Sequence, residues 1–241
     1  MKTVIHKANT RGVVNHGWLQ ANYSFSFAGW FNKERIHFGA LRVLNDDVIA
    51  PKMGFGMHPH ENMEIITIPL KGILKHRDNM DDEWVSVVPG EVQVMSAGTG
   101  VQHSEINGSV DENLNLFQIW IIPEKQGVSP RYDQKEFKAE DRKGKLQTLV
   151  TSFNNEDEKS LKINQDAKIS RIDLKAGETF TYYLISENHG VYIMNISGKI
   201  TINNNFLETR DAIAISETQD VIIKTQEETE VLFIEVPMVS L

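Results

Sequence analysis

A run of short strand signals, met twice in the same order along 241 residues, restricts this chain more than any other feature. In the first half, residues 36–44 (IHFGALRVL) are apolar-rich and end at Asn45-Asp46-Asp47, a turn cluster. Residues 63–70, then Lys71-Gly72, then residues 73–77 read as a hairpin, with Pro69 placed where the ladder is already ending. Residues 91–95 (EVQVM) alternate polar and apolar, as a half-buried strand does. Residues 114–122 (LNLFQIWII) form an apolar strand stopped by Pro123. In the second half, residues 191–202 match the 63–76 hairpin, with Gly198 in the place of Gly72. Residues 209–216 match 89–96, and residues 229–236 match 114–122. No stretch sustains a 3.6-residue period. The pattern therefore predicts an all-β chain of sandwiches or barrels, and its repeated order predicts an internal duplication. Between the halves, residues 124–165 are charged and turn-rich and read as one long connection. The expected units are 1–130 and 131–241.

Composition removes several classes of function. The chain has no cysteine, so disulfides, a thiolate nucleophile, zinc fingers and iron–sulfur clusters are excluded. Any metal must be held by nitrogen and oxygen. Lys and Arg number 25 against 33 Asp and Glu, a net charge of −8, which argues against direct contact with nucleic acid. No apolar run is long enough to span a bilayer. The opening residues Met1-Lys2-Thr3-Val4-Ile5-His6-Lys7 lack the apolar core of a signal peptide, so the expected setting is the cytoplasm.

The chemistry concentrates in two short segments. In Gly56-Met57-His58-Pro59-His60-Glu61-Asn62-Met63-Glu64, two histidines lie two residues apart. Such spacing puts both on one face of an extended chain, and Pro59 disfavours helical geometry for His58. In Ala97-Gly98-Thr99-Gly100-Val101-Gln102-His103-Ser104-Glu105, His103 and Glu105 share the same spacing. Three imidazoles and one carboxylate make a nitrogen-rich metal site with up to two open positions in an octahedron, as a catalytic metal needs. Glu64 has the parity of His58 and His60 and is either a ligand, an acceptor orienting an imidazole, or a solvated strand carboxylate.

His6, His16, His37, His76 and His189 have no partner at ligand spacing and are assigned to surface or packing. Trp18, Tyr23, Phe25, Phe27, Trp30 and Phe31 are assigned to the core, or in part to the wall of a pocket for a planar ligand. The second half serves as an internal control. It has no H-x-H before its hairpin and no H-x-E after residue 216, so metal ligands are expected in the first unit alone.

Residues 56–72 resemble the first cupin motif, and residues 90–107 a variant of the second. With Asn15-His16-Gly17-Trp18-Leu19 and Ser24-Phe25-Ser26-Phe27-Ala28, the chain is similar to the pirin family, above all to its bacterial members with quercetin 2,3-dioxygenase activity. Val101 falls where the general cupin pattern puts histidine, a shift that pirins share. The resemblance implies two jelly-roll cupin barrels with one metal in the first, held by His58, His60, His103 and Glu105. It implies a flavonol substrate such as quercetin and O2, ring opening with release of carbon monoxide, and Glu105 or Glu64 as proton acceptor. The first metal expected is Fe(II), with Cu, Ni, Co, Mn or Zn as alternatives. Eukaryotic pirins suggest a second role, a metal-sensing module that binds protein partners. A third is another cupin metalloenzyme with a non-flavonoid substrate. A monomer is expected.

Overall fold

The computed structural model describes residues 1–238. The chain runs through β1 (Lys2–His6), β2 (Gly12–Asn15), β3 (Leu19–Tyr23), β4 (Leu41–Ile49), β5 (Gly54–His60), β6 (Glu64–Lys71), β7 (Leu74–Asp78), β8 (Val85–Val87), β9 (Glu91–Ser96), β10 (Val101–Asn107), β11 (Leu114–Ile121) and β12 (Arg131–Glu136). It continues through β13 (Gln147–Ser152), β14 (Leu161–Ile163), β15 (Lys168–Leu174), β16 (Thr179–Tyr183), β17 (His189–Ser197), β18 (Ile200–Ile202), β19 (Asn205–Leu207), β20 (Ala212–Ser216), β21 (Asp220–Thr225) and β22 (Thr229–Pro237). The first barrel sets a seven-stranded sheet, β12-β9-β6-β11-β4-β3-β2, against a four-stranded sheet, β5-β10-β7-β8. The second sets β1-β20-β17-β22-β15-β13-β14 against β16-β21-β18-β19. The central strands of the second barrel repeat those of the first in order, while the edges differ: β14 pairs with β13 in parallel where β2 and β3 are antiparallel, and β1 takes the edge beside β20 that β12 takes beside β9.

Alternation along each strand builds two kinds of interior. Ile66, Ile68, Val94, Phe117 and Ile119 point out of the first barrel and meet Ile169, Tyr192, Met194, Leu232 and Ile234 of the second in one continuous apolar core. The opposite faces of the same strands line the barrel interiors. In the second barrel that lining is mostly apolar, with Ile172, Tyr182, Ile193, Ile213, Val221, Ile223 and Phe233 all buried, and a Tyr182–Glu235–His189 cluster at one end.

Three sequence expectations are corrected. First, β6 and β7 do not form a hairpin. β6 pairs with β9 and β11, whereas β7 pairs with β8 and β10, so the Gly72 turn carries the chain from one sheet to the other. Gly72 has φ +84°, and a Cβ there would come within 2.8 Å of the Asn113 carbonyl oxygen. Gly198, with φ +88°, makes the same crossing in the second barrel. A tight turn is visible locally, but which sheet each flanking strand joins is decided by burial. Second, Asn45-Asp46-Asp47 is not a turn. It is the middle of β4, and all three side chains are buried. Third, residues 124–165 are not a bare connection, since they include β12, β13 and β14. β12 pairs with β9, so the first sheet continues past the expected boundary at residue 130. β1 in turn pairs with β20 of the second barrel.

That crossing strand ends at His6, buried edge-on against Phe25 and Tyr192, with Nδ1 3.0 Å from the Tyr192 hydroxyl. Burial, aided by Arg35, lowers its pKa from 6.5 to about 4. The folded protein therefore binds this proton less readily than the unfolded chain. The contribution is complete above pH 6.5 and is lost as pH falls toward 4, worth ~3 kcal/mol at ~1.4 kcal/mol per pH unit. Urea titrations at pH 7 and pH 4.5 should show His6→Gln losing less stability between the two than wild type. Equal losses would show that His6 is not a source of the acid sensitivity.

Candidate metal centre

β5 and β10 are antiparallel neighbours, with His58 opposite His103 and a register shift between His103 and Glu105. β5 is the outer strand of its sheet, where Pro59 costs no ladder hydrogen bond. His58, His60 and His103 each bring one ring nitrogen into a group whose members all lie within 4.8 Å of one another. Nε2 of His103 is 3.0 Å from Nε2 of His58. The Nδ1 of His58 lies 2.8 Å from the Gly56 carbonyl oxygen, which can only accept, so that nitrogen carries the proton and leaves Nε2 a free lone pair. Nδ1 of His103 is 3.2 Å from Nε2 of His76. A proton on that Nδ1 likewise frees the His103 Nε2 to face the cluster. Burial first, then the neighbouring rings, lowers His60 and His103 to about 3. Both are neutral at pH 7, the form a metal ion requires.

Glu105 shares the cavity with these rings and is buried. Its Oε2 accepts a hydrogen bond from Gln118 Nε2 at 2.8 Å, while Oε1 has no partner in the protein. Burial raises its pKa, with His76, the Gln118 hydrogen bond and His58 opposing. Three converging lone pairs fit one divalent cation, while Glu105, with one unmatched oxygen, borders the cavity beside His58 and His60 but stands outside that histidine group. Among the described residues, the second barrel offers no such set. Pairing register puts Val221 where the first barrel has His103, Ile223 where it has Glu105, and Ile202 where it has His76.

Two sequence assignments change. Glu64 is removed from the site. Asn62, with φ +48°, breaks the extended run after His60, and Glu64 starts a strand of the other sheet. Its carboxylate accepts from Ser96 Oγ at 2.7 Å and Asn164 Nδ2 at 2.9 Å, so it neither orients an imidazole nor serves as the proton acceptor. His76 is not mere packing. It is buried, stacks on Tyr132 at 5.0 Å, lies 3.9 Å from Asp78, and braces His103. No ligand spacing marks it. The one signal was the internal repeat, where its counterpart is Ile202.

Above the histidines lies a cavity of about 240 Å³. Leu19, Phe27, Phe55 and Trp120 form its apolar walls, and Tyr23, Asn45, Asp47 and Gln118 its polar ones. His60 meets Trp120 edge to face at 4.9 Å. Of the aromatic cluster read from the sequence, Tyr23 and Phe27 line this cavity, Phe25 is in the inter-barrel core, and Phe31 is exposed. Burial, then Asp46 and Glu105, pushes the Asp47 carboxyl up to about 8.

Two facing jelly-roll barrels, one of them carrying a cluster of three histidines, define a bicupin with a single divalent metal centre. Residues 5–121 match the Pirin family, and residues 149–236 match the quercetinase C-terminal cupin domain. The chain is 43% identical over 235 residues to quercetin 2,3-dioxygenase of Escherichia coli K12, covering 98% of this chain and 99% of that one. The crystal structure of YhhW from Escherichia coli superposes with a TM-score of 0.93 at 40% identity, over 100% of both chains. The bacterial pirin YhhW from Escherichia coli in complex with nickel(II) superposes with a TM-score of 0.92 at 39% identity, over 99% of this chain and 100% of that one. The chain belongs to the pirin family.

Proposed function

We propose that this protein is a quercetin 2,3-dioxygenase, a metal-dependent enzyme that opens a flavonol with O2. The observation that carries the reading is the group of three converging imidazole nitrogens, of which His58 and His60 border an aromatic-walled cavity that Glu105 also lines. His58, His60, His103 and Glu105 are the proposed ligands. Fe(II) is the proposed ion, because three nitrogens and a carboxylate with open positions suit non-heme iron; Ni, Cu, Co, Mn and Zn are the competitors. When bound, the ion supplies Lewis acidity that lowers the pKa of the flavonol hydroxyl.

The chain's own residues do the rest. Phe27, Phe55 and Trp120 give a planar ring flat and edge contacts and keep water from it. Glu105, steadied through Oε2 by Gln118, has Oε1 alone to offer, so it takes the hydroxyl proton there only when that oxygen is not holding the ion. No Lys or Arg lines the cavity, which disfavours a phosphorylated substrate. No helix among the described residues is long and apolar enough to cross a membrane. The test is aerobic incubation with quercetin after loading with iron, nickel, copper, cobalt or manganese in turn. Loss of the flavonol absorbance with O2 uptake is expected with at least one ion and not after chelation. Failure with every ion overturns the reading.

A further inference from the structure

Asn45 and Asp47 stand on the inward face of β4, two residues apart, and both line the cavity that holds His58, His60 and Glu105. Asn45 is 2% exposed and Asp47 5% exposed. The Oδ1 of each has no hydrogen-bond partner in the protein. Buried polar oxygens are costly unless a donor reaches them, so two in one small chamber point to a donor brought by the guest.

The second barrel strengthens the argument. Pairing across the sheet sets Asn45 opposite Gln118, Gln118 opposite Thr67, and Asp47 opposite Leu116. The same positions in the second barrel are Ser170, Phe233, Ile193 and, for Asp47, Ile172. The fold therefore accepts hydrocarbon at most of these places. Only the Asn45 position stays polar there, as Ser170, whose Oγ is also unpartnered; Gln118, Thr67 and Asp47 give way to hydrocarbon. The polar floor of the first barrel also explains why Asn45-Asp46-Asp47 reads as a turn: local propensity is overridden where a site is built.

We propose that Asn45 and Asp47 recognise the ring hydroxyls of the phenolic substrate and so set the enzyme's preference for polyhydroxylated flavonols. This rests on the dioxygenase reading above and adds to it the residues that choose among flavonols. A hydroxyl donates to each free oxygen, while the aromatic walls accept any planar ring. An analogue without those hydroxyls leaves both oxygens unmatched, which is how polar sites reject closely related ligands.

The experiment compares quercetin with 3-hydroxyflavone, which keeps the ring system and the 3-hydroxyl but lacks the other hydroxyls. Binding is followed anaerobically by tryptophan fluorescence in metal-loaded protein, and metal content is measured alongside. Wild type should bind quercetin roughly tenfold or more tighter than 3-hydroxyflavone. Asn45→Leu and Asp47→Leu should each cut that ratio severalfold by weakening quercetin alone, with metal content unchanged. Asp47→Asn, which keeps an acceptor, should retain the ratio within about threefold. Should either leucine variant fail to fold, Asn45→Ser, the residue of the second barrel, withdraws the oxygen without adding bulk. A ratio unchanged in the leucine or serine variants overturns the proposal, as does a loss of metal from them. If wild type binds neither flavonol, the dioxygenase reading falls and this proposal with it. If wild type binds and turns over both equally, only this proposal falls.

Discussion

His103→Val is expected to yield a folded protein that no longer retains its metal. His103 sits at the centre of the cluster, with Nε2 3.0 Å from His58 and Nδ1 3.2 Å from His76. Removing it leaves two imidazoles, both on β5, and no ligand on β10 except the Glu105 carboxylate. Ligand loss should exceed the 10–100-fold effect typical of outer partners, so affinity should fall by roughly 100-fold or more. Valine is the fitting replacement because Val221 holds the equivalent position in the second barrel, where it packs among aliphatic neighbours. Thermal melts of the metal-free proteins should therefore nearly coincide. His76→Leu makes the graded counterpart. It keeps every proposed ligand but removes the group that fixes the proton on His103 Nδ1, so affinity should drop by about 10–100-fold. Elemental analysis after dialysis against a weak chelator reads both variants. Full metal content in His103→Val would reassign the centre. Equal affinity in wild type and His76→Leu would show that the second contact is incidental.

How much of this was legible in the sequence depends on the range of the interaction that decides each feature. His58 and His60 were legible because strand geometry alone aligns residues two apart, and Pro59 reinforced it. His103 was legible on the same grounds, and the family resemblance joined the two segments; Glu105, read at the same spacing, lies on the cavity but outside the histidine group. Glu64 was misplaced because the parity argument assumes an unbroken strand, and the left-handed turn at Asn62 breaks it. His76 was missed because its partner lies 27 residues away and depends on β7 joining the sheet of β10 rather than that of β6. The hairpin assignment hid that fact. Asn45, Asp46 and Asp47 were misread for a related reason. Their intrinsic preference is for turns, and only neighbours distant in sequence hold them in a strand. Asp46 has Arg11, Asn115 and Arg210, while Asn45 and Asp47 face the cavity. The repeat, by contrast, was legible in its central strands, since their order survives even where side chains diverge; the edge strands, where β1 and β14 differ from β12 and β2, carried no such match.

Asp46→Ala should be among the most destabilising single changes away from the cavity. Alternation along β4 turns Asp46 away from the barrel interior and toward the second barrel. Its Oδ2 lies 3.4 Å from Arg11 and 3.3 Å from Arg210, and its Oδ1 accepts from Asn115 Nδ2 at 3.0 Å. Arg210 comes from the turn before β20 and also lies over the Phe117 ring, so one carboxylate fastens the β1–β2 connection and the second barrel to the first. Arg11 and Asp46 are almost wholly buried, and burial already lowers the Arg210 pKa despite Asp46. Alanine would leave Arg11 without its carboxylate and Arg210 with Glu230 as its remaining counter-charge, in a region water reaches poorly, which costs about 3–5 kcal/mol. For a chain of this length that is a fall in Tm on the order of 10 °C. Removing one of the two guanidinium charges should recover part of the loss, so Asp46→Ala with Arg210→Met should melt above Asp46→Ala alone. Lys2→Ala breaks the exposed pair with Glu217 and should leave the melt unchanged, because solvent screens that contact. A melt of Asp46→Ala within the error of wild type would show that the inter-barrel apolar core holds the two barrels without this ionic clasp.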